Sequence, residues 1–262
     1  MTTELCQAAR RVGAALARWS VERRFNGRRL GSQFKAEADR WAHELWTREL
    51  QAIAPGSTVI SEEDEQVGAV PPPERYWLVD PLDGTASFVE GFPGWVTQVA
   101  WMENHRPVAA VVFAPLTEEL FRAELGRGAF LNERPLVVDP TVFPVTLVDN
   151  YPEPRGIAAA AMQRFGLSRY LESGSIGLKI CRVGAGHADV FVKDVSVKSW
   201  DVAPGDLLLS EAGGVLTTLD GQPFDYRGSV AHTGLIASRS LGFGREIAQW
   251  ASLTGFRSTL TA

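Results

Sequence analysis

The stretch WLVDPLDGTASF, residues 77–88, decides how the rest of the chain is read. It completes an apolar run, RYWLVD (75–80), that ends in Asp80. Pro81 then stops a strand ladder because it has no N–H. Asp83 returns after two intervening residues, so two carboxylates can converge on one point. Gly84 permits a tight turn, and Thr85 stands where a helix can begin, leaving backbone N–H groups open to an anion. Two carboxylates and open amides at a strand end suit a divalent cation bridging to phosphate oxygens. An Asp-rich turn with a helix cap would carry the same letters. The choice depends on acids elsewhere in the chain.

On the N-terminal side the pattern is helical. Leu5, Ala8, Ala9, Val12, Ala15, Leu16 and Trp19 share one stripe, and Ala38, Trp41, Ala42, Leu45 and Trp46 share a second that carries Asp39 near its start. The Arg-rich segment 22–33 between them reads as a polar loop, either solvated or beside an anionic ligand. After residue 88 the period is that of strands. VTQVAWM and PVAAVVFAP flank ENHR as one hairpin, and ELFRAEL and AFLNERPL flank GRG as another. A proline-bearing segment, 137–146, precedes a new strand, VTLVDN, and there we place the boundary between two lobes. The predicted division is an α+β lobe, 1–138, and an α/β lobe, 139–262. In the second half GIAAAAMQRF, GLKICRVGAGHA and DVAPGDLLLSEA read as helices, ADVFV, VLTTL and GLIAS as strands, and a last helix lies near Gly244–Leu253. Such alternation predicts α/β or layered α+β architecture.

Composition narrows the function. A chain of 262 residues with 45% hydrophobic and 22% charged residues can bury a sizeable core, which excludes a disordered or collagen-like protein. A net charge of −5 offers no basic field for a nucleic-acid polymer. No apolar run approaches the roughly 18 residues of a membrane span, and no signal peptide is evident. Cys6 and Cys181 form no CxxC, which fits a reducing, cytoplasmic setting and buried thiols. His43, His105, His187 and His232 lack metal-ligand spacing and are expected at the surface or behind a site. The tryptophans, mostly on apolar stripes and strands, are expected in the core or a dimer interface.

Further acids follow short apolar segments. Glu62 and Glu63 come directly after STVI, where a carboxylate can point toward the Asp80 turn, whereas Asp64 and Glu65 read as solvated. Asp201 stands before an apolar run, a position that suits a helix cap or a third metal-facing carboxylate. Hard oxygen ligands of this kind favour Mg²⁺ over zinc.

Asp39, Glu62-Glu63, the DPLDGT of 80–85, and Trp200-Asp201 with Gly205 together resemble the motif of the inositol monophosphatase superfamily. Its members are Mg²⁺-dependent, often lithium-sensitive phosphatases. AFLNERPL, ESGSIGLK, HADVFV and SEAGG are family-like as well, and the resemblance runs from about Leu5 to the last helix. It implies a layered αβαβα sandwich of the sugar-phosphatase type, with the metal site between two lobes, and a homodimer. It also implies that Glu62, Asp80 and the Leu82 carbonyl hold one Mg²⁺, while Asp80, Asp83 and Asp201 hold a second. A third, weaker ion would involve Glu62 and Glu63 through water. Thr85, oriented by Asp39, would help activate the attacking water, and the Gly84 and Thr85 amides would hold the phosphate. Three positions depart from the family: Ala36 stands for a usual Thr, Ser87 for a frequent Asn and Pro204 for a usual Ala. None is an implied metal ligand.

The resemblance implies a phosphomonoesterase for a small polyol phosphate, of the inositol monophosphate or sugar phosphate class. The substrate residues point two ways. GFPGWVTQVA and Asp194, seven residues before Asp201, look like the inositol monophosphatases, whose acid there binds substrate hydroxyls. GSIGLK with Lys179 looks like the bisphosphate nucleotidases, which act on 3′-phosphoadenosine 5′-phosphate, although Lys179 also reads as a helix-surface residue. A non-catalytic phosphate-binding homologue is the third reading, and the full set of expected carboxylates weighs against it.

Overall fold

Apolar spacing places the first two helices. α1 (Thr2–Phe25) fully buries Leu5, Ala8, Ala9, Val12 and Leu16, and α2 (Ser32–Ile53) fully buries Ala38, Ala42, Trp46 and Leu50. A computed structural model describes residues 1–25, 32–64, 71–150 and 152–256, with side chains except at 22–25 and 32–36. The segment read as a loop at 22–33 is therefore helical up to Phe25 and again from Ser32. Its remainder, the Ala36 side chain and Glu65 lie outside the described residues. Trp41 is 36% exposed, because the buried face of α2 follows the i, i+4 row through Ala42 and Trp46 and leaves it at the flank.

Seven strands follow in one sheet: β1 (Thr58–Ser61), β2 (Arg75–Asp83), β3 (Val96–Glu103), β4 (Arg106–Ala114), β5 (Glu119–Glu124), β6 (Ala129–Leu131) and β7 (Arg134–Leu136), with the short α3 (Thr85–Glu90) after β2. They pair in chain order, β1 parallel to β2 and the others antiparallel. Both expected hairpins form, and β7 folds back on β6 as a third. Along β2, Trp77 and Val79 face α1 and α2 while Tyr76 and Leu78 face the opposite layer. Covering both faces explains why β2 reads as a continuous apolar run rather than an alternating one.

The second half contains β8 (Thr146–Asp149), α4 (Gly156–Phe165), β9 (Arg169–Glu172), α5 (Ile176–Gly184), β10 (Val190–Lys198), α6 (Ser199–Glu211), β11 (Val215–Thr217), β12 (Ala231–Ser238) and α7 (Leu241–Thr254). Its five strands run in the order β11-β12-β10-β8-β9, mixing parallel and antiparallel pairs. α1 and α2 cover the first sheet, α5 and α6 pack between the sheets, and α4 and α7 cover the second. The layers are α, β, α, β, α. Large apolar side chains fill the outer gaps, with Trp46, Trp77 and Phe88 on one side and Ile157, Ile236 and Ile247 on the other.

One half-buried acid at the edge of this core is testable apart from any site. Asp206 on α6 accepts the Tyr226 hydroxyl at 2.8 Å, and burial pushes its pKa up to about 6. It borders a cavity of about 720 Å³ lined also by His105 of the β3–β4 turn and Arg106 at the start of β4, at the far end of β3 from Asp83. Because the folded pKa is raised, the stabilisation is complete below the ordinary pKa of 3.8 and is lost as pH rises through about 6. Asp206→Asn keeps an acceptor for Tyr226 and cannot ionise. Its stability should match the parent at pH 4 and exceed it at pH 8 by about 1–3 kcal/mol, read by denaturant melts at both pH values. Equal stability at pH 8 would contradict a raised Asp206.

Candidate metal and phosphate site

Asp80 follows Tyr76 and Leu78 on the β2 face turned toward α5 and α6, and it is 1% exposed. Its Oδ1 accepts the Leu82 N–H at 3.1 Å, closing the turn that Pro81 begins. Pairing with β3 slips between Asp80 and Asp83, so the strand bulges there. A bulge re-aims side chains, and it lets two acids three residues apart act on each other. The parallel register sets Ser61 against Val79, and the Glu62 N–H reaches the Val79 carbonyl at 3.3 Å. Glu62 thereby lies beside Asp80, exposed at the rim.

Asp83 is held by three donors. Its Oδ1 accepts the Ile176 N–H at 3.2 Å, and its Oδ2 accepts the Gly177 N–H at 2.7 Å and Gln98 Nε2 at 3.3 Å. The two N–H groups belong to the first turn of α5, whose start is fixed by Ser175 accepting from the Leu178 N–H at 2.9 Å. Asp201 lies in the first turn of α6, and its Oδ2 accepts the Lys198 N–H at 2.7 Å. It caps its own helix, as its place before an apolar run allows, and its charge still reaches Asp80.

Shared repulsion defines the centre. Burial, then the charges of Asp83, Glu62 and Asp201, push the Asp80 carboxyl well above its ordinary range. Burial, then Asp83, with Glu62 contributing, does the same to Asp201. Burial raises Asp83 too, opposed by the Gly177 N–H and by Lys179. Among the described residues no group of three His, Cys, Asp or Glu is arranged as a ready metal cage. Each of the three aspartates also has a backbone N–H. The donor set nevertheless fits a divalent cation, since its side chains are hard oxygen acceptors whose mutual repulsion such an ion would offset.

The candidate phosphate side starts at Gly84, whose φ of 91° lies in the left-handed region that a side chain disfavours. It lets β2 turn directly into α3, so the N–H groups of the first turn have no helical acceptor. Thr85 Oγ1 donates to the Leu82 carbonyl at 3.4 Å. Asp39 is 4% exposed on α2, which packs on β2. Asp194 falls in the irregular stretch of β10 between Lys193 and Ser196, across from Gly234.

Lys179 is placed away from the helix surface. It is 1% exposed, with Nζ bonded to Asn150 Oδ1 and, at 3.0 Å, to the Gly174 carbonyl, and it lies 4.0 Å from Asp149. Burial lowers its pKa to about 8 despite Asp149. The helix-surface reading fails because Asp149, Asn150 and the 174 carbonyl, which sequence reading does not connect to Lys179, draw the ammonium inward. Sequence reading also passed over Gln98 and the α5 amides that hold Asp83. A glutamine within VTQVAWM was the available signal: a polar residue inside a fully buried run needs a partner. His232 is 9% exposed and bonded to Ser199 Oγ at 2.9 Å, behind the Trp200-Asp201 turn.

The inositol monophosphatase family matches residues 1–250. The chain belongs to that family. It is 30% identical to an inositol-1-monophosphatase of Mesorhizobium japonicum over 257 residues, covering 90% of this chain and 92% of the relative. It is 34% identical to a Nus factor SuhB of Xylella fastidiosa over 197 residues, 72% of this chain and 70% of the relative. Among solved structures, the Thermotoga maritima IMPase superposes with a TM-score of 0.77 at 26% identity, covering 95% of this chain and 96% of that one. The layered αβαβα sandwich is thus the family fold, and this inositol monophosphatase family member is a phosphoric monoester hydrolase acting on small phosphate esters. Members of the family are generally Mg²⁺-dependent. Among the described residues no helix is long and apolar enough to cross a membrane.

Proposed function

We propose that this chain hydrolyses a small polyol phosphate, an inositol monophosphate or a sugar phosphate. The observation that carries the reading is the meeting of Glu62, Asp80 and Asp201 with Asp83 in one repulsive field beside the Gly84–Thr85 turn. In this reading Glu62, Asp80 and the Leu82 carbonyl hold one Mg²⁺, and Asp80, Asp83 and Asp201 hold a second. Glu62 and Glu63 take part in a weaker third. When bound, the ions neutralise phosphoryl charge, acidify water and stabilise the departing oxygen. The Gly84 and Thr85 amides orient the phosphate, and Thr85, oriented by Asp39, helps to activate the attacking water by hydrogen bonding. Asp194 meets substrate hydroxyls. Burial of Lys179 weighs against the bisphosphate nucleotidase reading that this residue suggested.

The reading extends to two lobes dividing at 138/139, each with its own sheet, to a homodimer and to a cytoplasmic setting that suits the two free cysteines. Its test is a phosphate-ester panel run with Mg²⁺ and again after chelation. Inositol 1-phosphate or a sugar phosphate should be turned over at least about tenfold faster than 3′-phosphoadenosine 5′-phosphate, and chelation should abolish release of phosphate from every ester. A reversed preference would hand the site to the nucleotidase reading. Binding without turnover on the whole panel would leave a phosphate-binding homologue.

A further inference from the structure

β3 carries a primary amide into the core. Gln98 is 0% exposed, on the face of β3 that also bears Val96, Ala100 and Met102, and it is Asp80's partner in the sheet register. An amide buried without partners is costly, so its neighbours are informative. Nε2 lies 3.1 Å from the Trp200 carbonyl, 3.4 Å from the Asp201 carbonyl and 3.3 Å from Asp83 Oδ2. All three neighbours are acceptors, which places the nitrogen rather than the oxygen on that side. Oε1 is buried with no hydrogen-bond partner, so the amide is held through its nitrogen alone.

α6 explains the arrangement. In an α-helix the Trp200 carbonyl would accept from the N–H of residue 204. That residue is Pro204, inside the helix, and it has no N–H to give. Gln98 supplies the donor that Pro204 withholds. On its other side, Gly177 makes room. A Cβ there would collide with Gln98 Oε1 and stand 2.8 Å from its Cδ, while the Gly177 N–H donates to the same Asp83 Oδ2.

We propose that Gln98 is a positioning residue: standing in for the N–H absent at Pro204, it ties the first turn of α6 to Asp83 and fixes Asp83 and Asp201 relative to one another. The role rests on the reading that these two carboxylates share a divalent ion.

The test measures Mn²⁺ binding to the full chain without substrate, by calorimetry or electron paramagnetic resonance, together with thermal melts. Gln98→Met fills the same volume without an amide and should weaken Mn²⁺ binding about 10–100-fold. Pro204→Ala restores a helical donor and should bind as the parent does. Combining the two should recover melting temperature, since the Trp200 carbonyl is satisfied again, but not Mn²⁺ affinity, since Asp83 still lacks its nitrogen. If Gln98→Met alone does not fold, the double variant is compared with Pro204→Ala instead. Parent-like Mn²⁺ affinity in Gln98→Met, or full recovery of affinity in the double variant, would overturn the positioning role. Asp83→Asn separates the two claims. If it binds Mn²⁺ as the parent does, the shared-ion reading fails, whereas its loss alongside normal binding by Gln98→Met overturns only the role of Gln98.

Discussion

Asp83→Asn is expected to lower Mg²⁺-dependent phosphate release by about 10³-fold or more while the protein stays folded. On the proposed reading, several kcal/mol of transition-state charge stabilisation depend on ions held at the centre, and each 1.36 kcal/mol is tenfold in rate. The fold should tolerate the change for reasons visible in the structure. An Asn oxygen turned toward the Gly177 N–H and Gln98 Nε2 keeps the two contacts now made by Asp83 Oδ2. The Asn nitrogen then faces the Ile176 N–H and forfeits one bond at 3.2 Å, a cost of about 1 kcal/mol. In return, a negative charge that acts on Asp80 and Asp201 is gone. Phosphate release at saturating Mg²⁺ and a melting curve on the same sample check both halves. More than a tenth of parental activity would refute the role, and collapse of the melt would refute the bonding account.

What the sequence could show divides along local and non-local physics. The stripe through Leu5, Ala8, Val12 and Leu16 and the hairpins at ENHR and GRG are encoded by neighbours, and the structure has them in place. The strand end read at Asp80 was misplaced: Pro81 interrupts the ladder only as a bulge, and β2 pairs again at Asp83 with Val96. The approach of Glu62 to Asp80 was not derivable from spacing, because it depends on the parallel register of Ser61 with Val79 across an intervening segment. β9 and β7 were too short to have a period. Lys179, Gln98 and Asp206 were misread or missed for a common reason. Each is a polar group whose burial is decided by partners far away in the chain: Asn150 for Lys179, the Trp200 carbonyl for Gln98 and Tyr226 for Asp206. Pro204, visible in the sequence only as a departure, acquires a consequence once the carbonyl it leaves without a helical donor is found against Gln98.

Gly174→Ala is expected to damage both stability and activity, through one contact. A Cβ at Gly174 would collide with the Gly94 carbonyl oxygen and Ser87 Oγ and stand 2.8 Å from the Gly94 carbonyl carbon. The relation is mutual, since a Cβ at Gly94 would stand 2.8 Å from the Gly174 Cα. Backbone meets backbone here, and Ser175 adds an N–H bond to the Gly94 carbonyl at 2.6 Å. No side-chain rotation can relieve the crowding, so the 174–177 turn must move. Overpacking of this kind costs about 3 kcal/mol. At roughly 2–4 °C per kcal/mol, the melting temperature should fall by about 6–12 °C. The same displacement draws the Ile176 and Gly177 N–H groups away from Asp83. A misplacement near 1 Å can cost about 10²-fold in rate, even from outside the reacting groups. Activity should therefore remain depressed well below the new melting temperature, where all of the protein is folded. A lowered melt with parental activity in the cold would show that the turn supports the fold without positioning Asp83.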